Sequence, residues 1–467
     1  MFTSRALKMA ALSGAVMLAC ATSPVAQSAG ADDLSLTLPE ARSLAVRALN
    51  DGEPQIAAQV AKGLLQAEPD SSFAHFVLAH AHSELGQTAR ARSAAAKAYR
   101  YADDPAQRFQ SADLAAKLAY RQGRPTTAQL WLRRAVQNTD DPQIEQQLGR
   151  DYSRLRRENP LSFSLRGAIR PSSNVNNGSD TAVQIIDGIP VTGRLSGSAQ
   201  ALSGTIGTAD TSLSYRLRGT AKSRTDISGR LFLQRVALSS GAQSLSPTSS
   251  NSDFGSTFAS VTLSHSFTLG DTGGSARIAG TAGQFWSGGE RFYDFGRVDV
   301  SRSWNLDARN SLQLAASVED RDIVNSDLRD SLVFGLTATM AHVRSTGDRL
   351  QFSLNLVESN SDSVNTEFQS ASLRATYSFA KQIGPAQISA GFVLGKTDYD
   401  SFFAAPIFLP DGRNDESAFA DINLFFPDFD YAGFAPTIAI RAGRKSSNIS
   451  RFDTRELSVS LGIQSKF

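Results

Sequence analysis

The sequence has a single cysteine and, after its first thirty residues, no long apolar run. Cys20 is the one cysteine among 467 residues, and it lies in a segment with the features of a secretory leader. The mature chain therefore has no cysteine for a disulfide bond or a metal site. No later apolar stretch approaches the ~18–20 residues that a membrane-spanning helix needs. If the protein crosses a membrane, it must do so with strands.

The sequence also lacks an excess of charge of one sign and the usual catalytic motifs. Lys+Arg number 47 and Asp+Glu number 45, so a concentrated basic face for nucleic acid is not expected. There is no Gly-x-Ser-x-Gly elbow and no convincing pair of carboxylates. We therefore expect neither an enzyme nor a cofactor, with no catalytic residues and no nucleic-acid partner.

Three look-alike motifs have simpler interpretations. The Asp-Thr-Gly triplet at 271–273 lies in a predicted turn and has no second copy, so turn chemistry explains it. The segment 391–397 resembles a phosphate loop but is one residue short and lies within a predicted strand. His80 and His82 would point about 200° apart on a helix, and His75 and His82 lie about 10 Å apart along it. We interpret these histidines as packing or surface residues and predict no metal site.

The first 31 residues have the pattern of a signal peptide. Basic residues precede an apolar stretch over 9–21, and small residues follow at Ala26 and Ala31, either of which fits a cleavage site. The alternative is a lipoprotein signal lipidated at Cys20, although Met17 is a poor first residue for that motif. In both cases the protein leaves the cytoplasm.

Residues 32–159 have helical periodicity and repeated punctuation. The region is rich in Ala, Leu, Arg and Gln, which are good helix formers. Glycines recur at intervals of 34 and 37 residues and prolines at intervals of 36 and 37, at Gly52, Gly86 and Gly123 and at Pro69, Pro105 and Pro142. A helix–turn–helix period of about 34 residues is typical of tetratricopeptide (TPR) repeats. We predict three TPR-like units and a final helix over 143–157, which would form a groove that binds a protein; the alternative is a simple spacer.

After 159 the period changes from 3.6 to 2. In the last strand Leu457, Val459, Leu461 and Ile463 fall on one face and polar residues on the other. Fourteen such segments can be counted over 160–467, although alternation is weak in 226–239 and 275–286. Segments of about ten residues with one apolar and one polar face are what a transmembrane barrel requires. The predicted fold class is therefore α+β multidomain: N-terminal TPR-like α-helical repeats followed by a 14-stranded antiparallel transmembrane β-barrel.

The lengths of the connections predict an orientation in the membrane. Tight turns alternate with long loops at 171–198, 240–253 and 399–415. Short turns face the periplasm and long loops the exterior, so the helical domain is expected to lie in the periplasm and the barrel in the outer membrane, surrounded by its lipids. The residues that face into the barrel are expected to be mostly Ser, Thr, Gln and Asn.

Two stretches of the barrel region have a distinctive sequence. Segment 158–163 (Glu-Asn-Pro-Leu-Ser-Phe) leads into 170–178 (Arg-Pro-Ser-Ser-Asn-Val-Asn-Asn-Gly), and a second set of residues runs from Pro436 to Phe467. Together they resemble the surface lipoprotein assembly modifier (Slam) family of type XI secretion. The resemblance covers nearly the whole mature chain. It marks seven motif positions, which could equally be structural because Asn and Ser serve loop turns well: Pro171, Asn174, Asn176, Asn177, Arg444, Ser447 and Asn448.

The resemblance implies a translocon that moves selected proteins, commonly surface lipoproteins, across the outer membrane. In that interpretation the TPR groove receives the cargo protein in the periplasm, and the barrel conducts it. Periplasmic chaperones and the barrel-assembly machinery are further partners that the resemblance implies. The alternatives are a TPR-barrel exporter of polysaccharide, which would have a longer repeat array and a strongly charged lumen, and a passive solute porin.

Overall fold

The structure, a computed structural model, describes residues 36–191, 194–270, 274–431 and 433–465. The predicted signal peptide at 1–31, with Cys20, lies outside these ranges, as do the Asp-Thr-Gly triplet at 271–273 and the C-terminal Phe467. Within the described ranges, no helix combines the length and the apolar character needed to cross a membrane.

The first part of the described chain is a row of helices. Seven of them precede the barrel: α1 (Leu38–Asn50), α2 (Pro54–Ala67), α3 (Ser72–Glu84), α4 (Thr88–Tyr101), α5 (Pro105–Arg121), α6 (Pro125–Val136) and α7 (Pro142–Glu158). Each helix packs mainly on its neighbours in sequence. The result is three helical hairpins and a final helix, as the glycine and proline spacing predicts. That the hairpins are true TPR repeats stays a prediction.

Glycines end the first helix of each hairpin for a conformational reason. Gly52, Gly86 and Gly123 have φ angles of 74°, 71° and 65°, a left-handed conformation that glycine adopts without the steric penalty of a Cβ. The core between the helices consists largely of alanines, many with no exposed surface, together with Leu118 and Trp131. Small side chains let the hairpins pack closely along the row.

The second part is a closed antiparallel barrel. Fourteen strands of the described chain form it: β1 (Leu161–Ser172), β4 (Gly204–Gly219), β5 (Ser223–Leu238), β6 (Ser256–Leu269), β7 (Gly274–Ser287), β8 (Glu290–Asn305), β9 (Asn310–Ile323), β10 (Ser331–Val343), β11 (Arg349–Ser361), β12 (Phe368–Ser378), β13 (Gln387–Tyr399), β16 (Arg413–Phe425), β17 (Phe434–Ser447) and β18 (Thr454–Ser465). Strand β1 pairs with both β4 and β18 and closes the sheet. Closure leaves no unpaired edge. The predicted order, helices followed by an antiparallel barrel, and the predicted number of strands are confirmed.

The two faces of the barrel differ as the alternation predicts. On β18 the outward side chains of Leu457, Val459, Leu461 and Ile463 are 44 to 75 per cent exposed. The residues between them, such as Ser458, face the lumen because side chains alternate along a strand. The exterior is thus an apolar surface and the interior a polar one.

The segments with weak alternation are strands whose lumen face is partly aromatic. Phe258 on β6 stacks on Phe295 on β8 at 5.4 Å, and Phe285 on β7 stacks on Tyr293 at 5.2 Å. The register places these four rings on the same face as Ser260 and other lumen residues. Aromatic residues on the lumen face and small residues on the outer face weaken the alternation of apolar and polar residues in this part of the sequence.

The connections follow the predicted alternation of length with exceptions. The β7–β8 connection is a tight turn at the end far from the helices, where Gly288 and Gly289 have φ angles of 63° and 89°; such a turn matches the twist of a hairpin. Two long loops contain hairpins of their own: β2 (Ile185–Ile186) with β3 (Ile189–Pro190), and β14 (Phe402–Ala404) with β15 (Ile407–Leu409).

Candidate functional site

Three loops pack together at the barrel end that is far from the helices. They are loop 173–203, in its described parts 173–191 and 194–203, and the loops 400–412 and 448–453. We call these residues the loop cap. Its apolar centre joins all three loops and contains Ile186, Phe402, Ala404, Leu409 and Ile449. Ile449 has no exposed surface and forms a β-bridge with Ile186. The loop cap is therefore a packed structure over one side of the barrel opening.

Asn448 is the polar centre of the loop cap. Its Nδ2 donates to Asp187 Oδ1 and to the Gly412 carbonyl, both at 3.1 Å. Its Oδ1 accepts from the Asn414 backbone N–H at 2.9 Å, and its own carbonyl accepts from the Asp187 N–H at 2.8 Å. One side chain thus connects loop 173–203 to loop 400–412.

Asn174 and Asn176 shape the first of these loops from within. Asn174 Oδ1 accepts from the Gly178 N–H, and its Nδ2 donates to the Gly178 carbonyl, both at 2.8 Å. Asn176 Oδ1 accepts from the Leu202 N–H at 2.9 Å, and its Nδ2 donates to the Gln200 carbonyl at 2.8 Å. Asn177 has a φ of 51°, a conformation that asparagine tolerates better than most residues.

The remaining motif positions are separated from one another. Ser447 ends β17, where its Oγ accepts from the Ile449 N–H at 3.2 Å. Pro171 and Arg444 are exposed and, by the alternation of their strands, point to the outer face of the barrel. The structure therefore places the asparagines and Ser447 in or beside the loop cap and leaves Pro171 and Arg444 outside it. A role of these positions in transport stays a prediction.

A buried arginine at the start of β16 packs against aromatic rings of the loop cap and of the adjoining strand β13. Arg413 is 8 per cent exposed, and its Nη2 lies 2.6 Å from Asp415 Oδ2. Its guanidinium lies 3.6 Å from the ring centroid of Phe452 and 4.4 Å from that of Tyr399. A paired and stacked arginine is well stabilised at such a buried position.

Ion pairs line the lumen, which sequence reasoning missed. Both oxygens of Asp210 accept from Arg230 at 2.9 Å, and Glu456 lies between Arg170 and Arg441 at 3.3 and 3.2 Å. The strand registers put more basic than acidic side chains on this face: Arg166, Arg170, Arg216, Arg224, Arg230, Arg277, Arg297, Arg321, Arg349, Arg374, Arg413, Arg441 and Lys445 against Asp210, Asp226, Asp299, Glu319, Asp415, Asp421 and Glu456.

The expectation of a lumen lined mostly by Ser, Thr, Gln and Asn is therefore incomplete. Rows of hydroxyls are present, as in the Thr339–Ser353 hydrogen bond at 3.0 Å. The signal for the additional arginines was present in the sequence, because arginines occupy polar positions of alternating strands. Counting charge over the whole chain hid them, since acidic residues elsewhere balance the total.

A polar junction joins α7 to the barrel. Asn159 is 4 per cent exposed; its Nδ2 donates to Gln129 Oε1 at 2.7 Å and its Oδ1 accepts from the Leu161 N–H at 3.0 Å. Arg216 on β4 donates to the Arg157 carbonyl at 2.9 Å. These bonds fix the last helix at the near end of the barrel, opposite to the loop cap.

The three histidines of α3 lie in packed surroundings. His75 is buried and stacks on Tyr101 at 5.5 Å, and His80 meets the edge of Phe76 at 4.7 Å. Burial lowers the pKa of His75, His80 and His82, since the charged imidazolium is poorly solvated there. Across the described residues there is no group of three or more side chains able to hold a metal ion.

Comparisons with known proteins give neither a family nor a curated relative. No family model matches the chain, and no curated protein matches it. Among solved structures, an outer membrane channel from Pseudomonas putida F1 covers 66% of this chain and 96% of its own, at 12% identity and a TM-score of 0.34. The outer membrane channel DcaP of Acinetobacter baumannii covers 66% of this chain and 97% of its own, at 9% identity and a TM-score of 0.39.

The type III secretion translocator chaperone SycD of Yersinia enterocolitica covers 26% of this chain and 85% of its own, at 19% identity and a TM-score of 0.24. TM-scores below 0.5 are too low to assign a family or a function. What this chain does must therefore be argued from its own residues.

Proposed function

We propose that this chain is an outer-membrane transport protein whose barrel spans the membrane and whose helices lie in the periplasm. The apolar exterior of the barrel supports this placement, because a water-soluble barrel would not expose rows of Leu, Val and Ile. The closed sheet satisfies every strand edge, as the hydrocarbon region demands. The paired, polar lumen fits a route for polar substrates.

The proposed substrate is a protein delivered in the periplasm, in the first place a surface lipoprotein or a related secreted protein. The main observation that supports a protein substrate is the row of helical hairpins, which Asn159 and Arg216 fix to the near end of the barrel. A row of helical hairpins offers an extended surface for a protein partner, which a passive porin does not need. The resemblance to the Slam translocons is a second, independent support.

Deleting the gene and comparing surface-accessible and secreted proteins with those of the wild type tests this proposal. We expect one or a few specific proteins to disappear from the surface and to accumulate in the periplasm. Complementation with the full chain should restore them, whereas a chain without residues 36–158 should insert its barrel and fail to restore them. An unchanged surface proteome would overturn protein transport.

A second candidate is an exporter or pore for an anionic polymer or solute, which the arginine-rich lumen favours. Excess positive charge on the walls attracts anions and repels cations. In this case the deletion would leave the surface proteins unchanged and would remove a surface polysaccharide or alter the permeability to anions. The same strain therefore separates the two candidates.

A further inference from the structure

A basic cavity lies where α7 meets the β4–β5 turn, at the barrel end that carries the helices. Its volume is about 730 Å³, and four arginines line it: Arg156, Arg157, Arg216 and Arg224. Within the described chain no acidic side chain contributes to its lining. A cavity with this composition favours an anionic occupant.

The cavity walls are held in place by hydrogen bonds. Arg216 donates from Nη2 to the carbonyls of Arg157 at 2.9 Å and Asn159 at 3.4 Å, which fixes α7 against β4. In the β4–β5 turn the Oγ1 of Thr220 accepts from the Ser223 N–H at 2.9 Å. Arg224 pairs with Asp226 at 2.7 Å. These bonds hold Arg216 and Arg224 at the wall of the cavity that the barrel forms, and Arg156 and Arg157 line the wall that α7 forms.

The helix dipole accounts for two of these four arginines. Basic residues in the last turn of a helix are stabilised by the helix dipole, which explains Arg156 and Arg157. It does not explain Arg216 and Arg224, which come from the barrel on the other side. Glu158, at the end of α7, bonds to Arg154 and to the Tyr120 hydroxyl, both at 3.1 Å. Glu158 also interacts electrostatically with Arg157, and Asp226 pairs with Arg224, so the net positive charge of the cavity is carried mainly by Arg156 and Arg216.

The basic surface continues from the cavity into the lumen. Arg224 is in register with Ser266, Ser266 with Arg277, and Arg277 with Ser301. Arg224 and Arg277 thus occupy one row of the sheet, about 10 Å apart, on the lumen face. An anionic chain that occupies the cavity reaches the next arginine without leaving this row.

We propose that this site, which we call the arginine vestibule (Arg156, Arg157, Arg216, Arg224 and Arg277), binds an acidic peptide segment of the cargo as it passes from the helices into the barrel. The inference rests on the proposed function for the identity of the cargo as a protein. Guanidinium groups match carboxylates in geometry and charge. A lipid headgroup fits less well, because Arg224 and Arg277 face the lumen rather than the lipid.

The test measures binding of a fluorescein-labelled decaglutamate peptide to the purified full chain in detergent micelles by fluorescence anisotropy. Decalysine and an oligomer of polyguluronate are the comparison probes. We expect saturable binding of decaglutamate, weakened by higher salt because screening reduces the attraction between charges, and no saturable binding of decalysine. The Arg156→Gln, Arg224→Gln double variant should bind decaglutamate about tenfold more weakly or worse.

The matched control variant also removes two positive charges, but from helix residues outside the cavity. Arg121→Gln with Arg150→Gln changes two exposed arginines that do not line the cavity and should leave the affinity within about twofold. Circular dichroism checks folding; if the double variant does not fold, Arg156→Gln alone serves, since Arg156 is exposed in the last turn of α7.

Equal weakening in the control pair, no preference for decaglutamate over decalysine, or tighter binding of polyguluronate would each overturn the proposal. The last result would assign the vestibule to an anionic polysaccharide. The two experiments can also disagree. If purified protein binds decaglutamate through the vestibule but deletion of the gene leaves the surface proteome unchanged, the vestibule stands as an anion site and the proposed protein cargo is overturned. Failure of the two proposals is therefore distinguishable.

Discussion

At the residue scale, the loop cap depends on side chains that bond to several backbone groups at once. Asn448 connects two loops through both ends of its amide, and Asn174 and Asn176 hold loop 173–203 in its bent path. Such amides can be replaced only with the loss of several bonds. The same residues carry the resemblance to the Slam family, so their structural role and a role in transport need separate tests.

Replacing Asn448 by alanine should loosen the loop cap. The substitution removes two donated bonds and one accepted bond at a half-buried position, a loss of about 1–3 kcal/mol. Hydrogen–deuterium exchange of the peptide spanning 183–191 should become at least about tenfold faster. The control is Asn414→Ala, since Asn414 contributes its backbone N–H to this network. Unchanged exchange in Asn448→Ala would contradict the assignment.

The buried His75 and the half-buried His80 and His82 of α3 should make the helical region sensitive to mild acid. Burial lowers the pKa of His75, His80 and His82 below 6.5, so the unfolded chain binds more protons than the folded one below that value. Their contribution to the free energy of unfolding is therefore complete above pH 6.5 and falls as the pH drops below it.

Thermal unfolding followed at 222 nm should show this effect between pH 7.5 and 5. The transition of the helices is expected to shift to lower temperature with falling pH, and the shift should be smaller in His75→Phe. His342→Gln, on β10 of the barrel, serves as the control and should behave as the wild type. A pH-independent transition in the wild type would contradict the assignment.

At the scale of elements, the strands of the barrel separate an apolar outer face from a polar inner one. On β11 Leu354 is 43 per cent exposed and points outward. Its neighbour Ser353 points inward and bonds to Thr339. Because side chains alternate, adjacent positions of one strand lie on opposite faces of the barrel wall. The helical hairpins instead bury one face of each helix in a shared alanine core.

Arginine substitutions at these two neighbours should differ in effect. If the barrel spans the membrane as proposed, Leu354→Arg would place a charge in the hydrocarbon near the middle of the strand and should lower the free energy of unfolding by about 2–4 kcal/mol. Ser353→Arg would place the same charge in the lumen beside other polar groups and should cost much less. Urea unfolding in lipid vesicles, followed by tryptophan fluorescence, gives both values. Equal losses would contradict the placement of the outer face in lipid.

At the scale of the whole molecule, the helices and the barrel meet through few residues. The Asn159 side chain bonds to Thr126 and Gln129 of α6 and to the Leu161 N–H of β1. Arg216 adds a bond from β4 to the end of α7. The arginine vestibule lies in this junction, between the proposed cargo-binding helices and the lumen. A change of position between the two parts would therefore change the vestibule.

Replacing Asn159 by alanine should weaken the connection between the two parts while leaving each folded. The buried amide of Gln129 would lose its partner, which costs about 1–3 kcal/mol. Limited trypsin digestion should then cut faster near Arg156 and Arg157 and release the barrel from the helices. Asn138→Ala, which removes an exposed bond to the Arg134 carbonyl, should digest as the wild type does. Equal digestion of the two variants would show that Asn159 does not hold the junction.

The sequence by itself determined the elements of this protein. Glycines at 52, 86 and 123 fixed the hairpins of the helical region, because their left-handed backbone is a local property. Alternation with period 2 indicated fourteen strands and their outward faces, because successive side chains of a strand point to opposite faces of the sheet. Where aromatic residues turn inward, as Phe258 and Phe285 do, this pattern was weak.

Only the tertiary structure decided how distant residues meet. Asn448 and Asp187 are 261 positions apart, and the arginines of the vestibule come from a helix and several strands. No local pattern relates such residues, because closure of the barrel and the packing of its loops bring them together. The balanced charge of the whole chain concealed the basic lumen. Alternation indicates which arginines share the polar face of one strand, whereas closure of the barrel brings those faces together around one lumen.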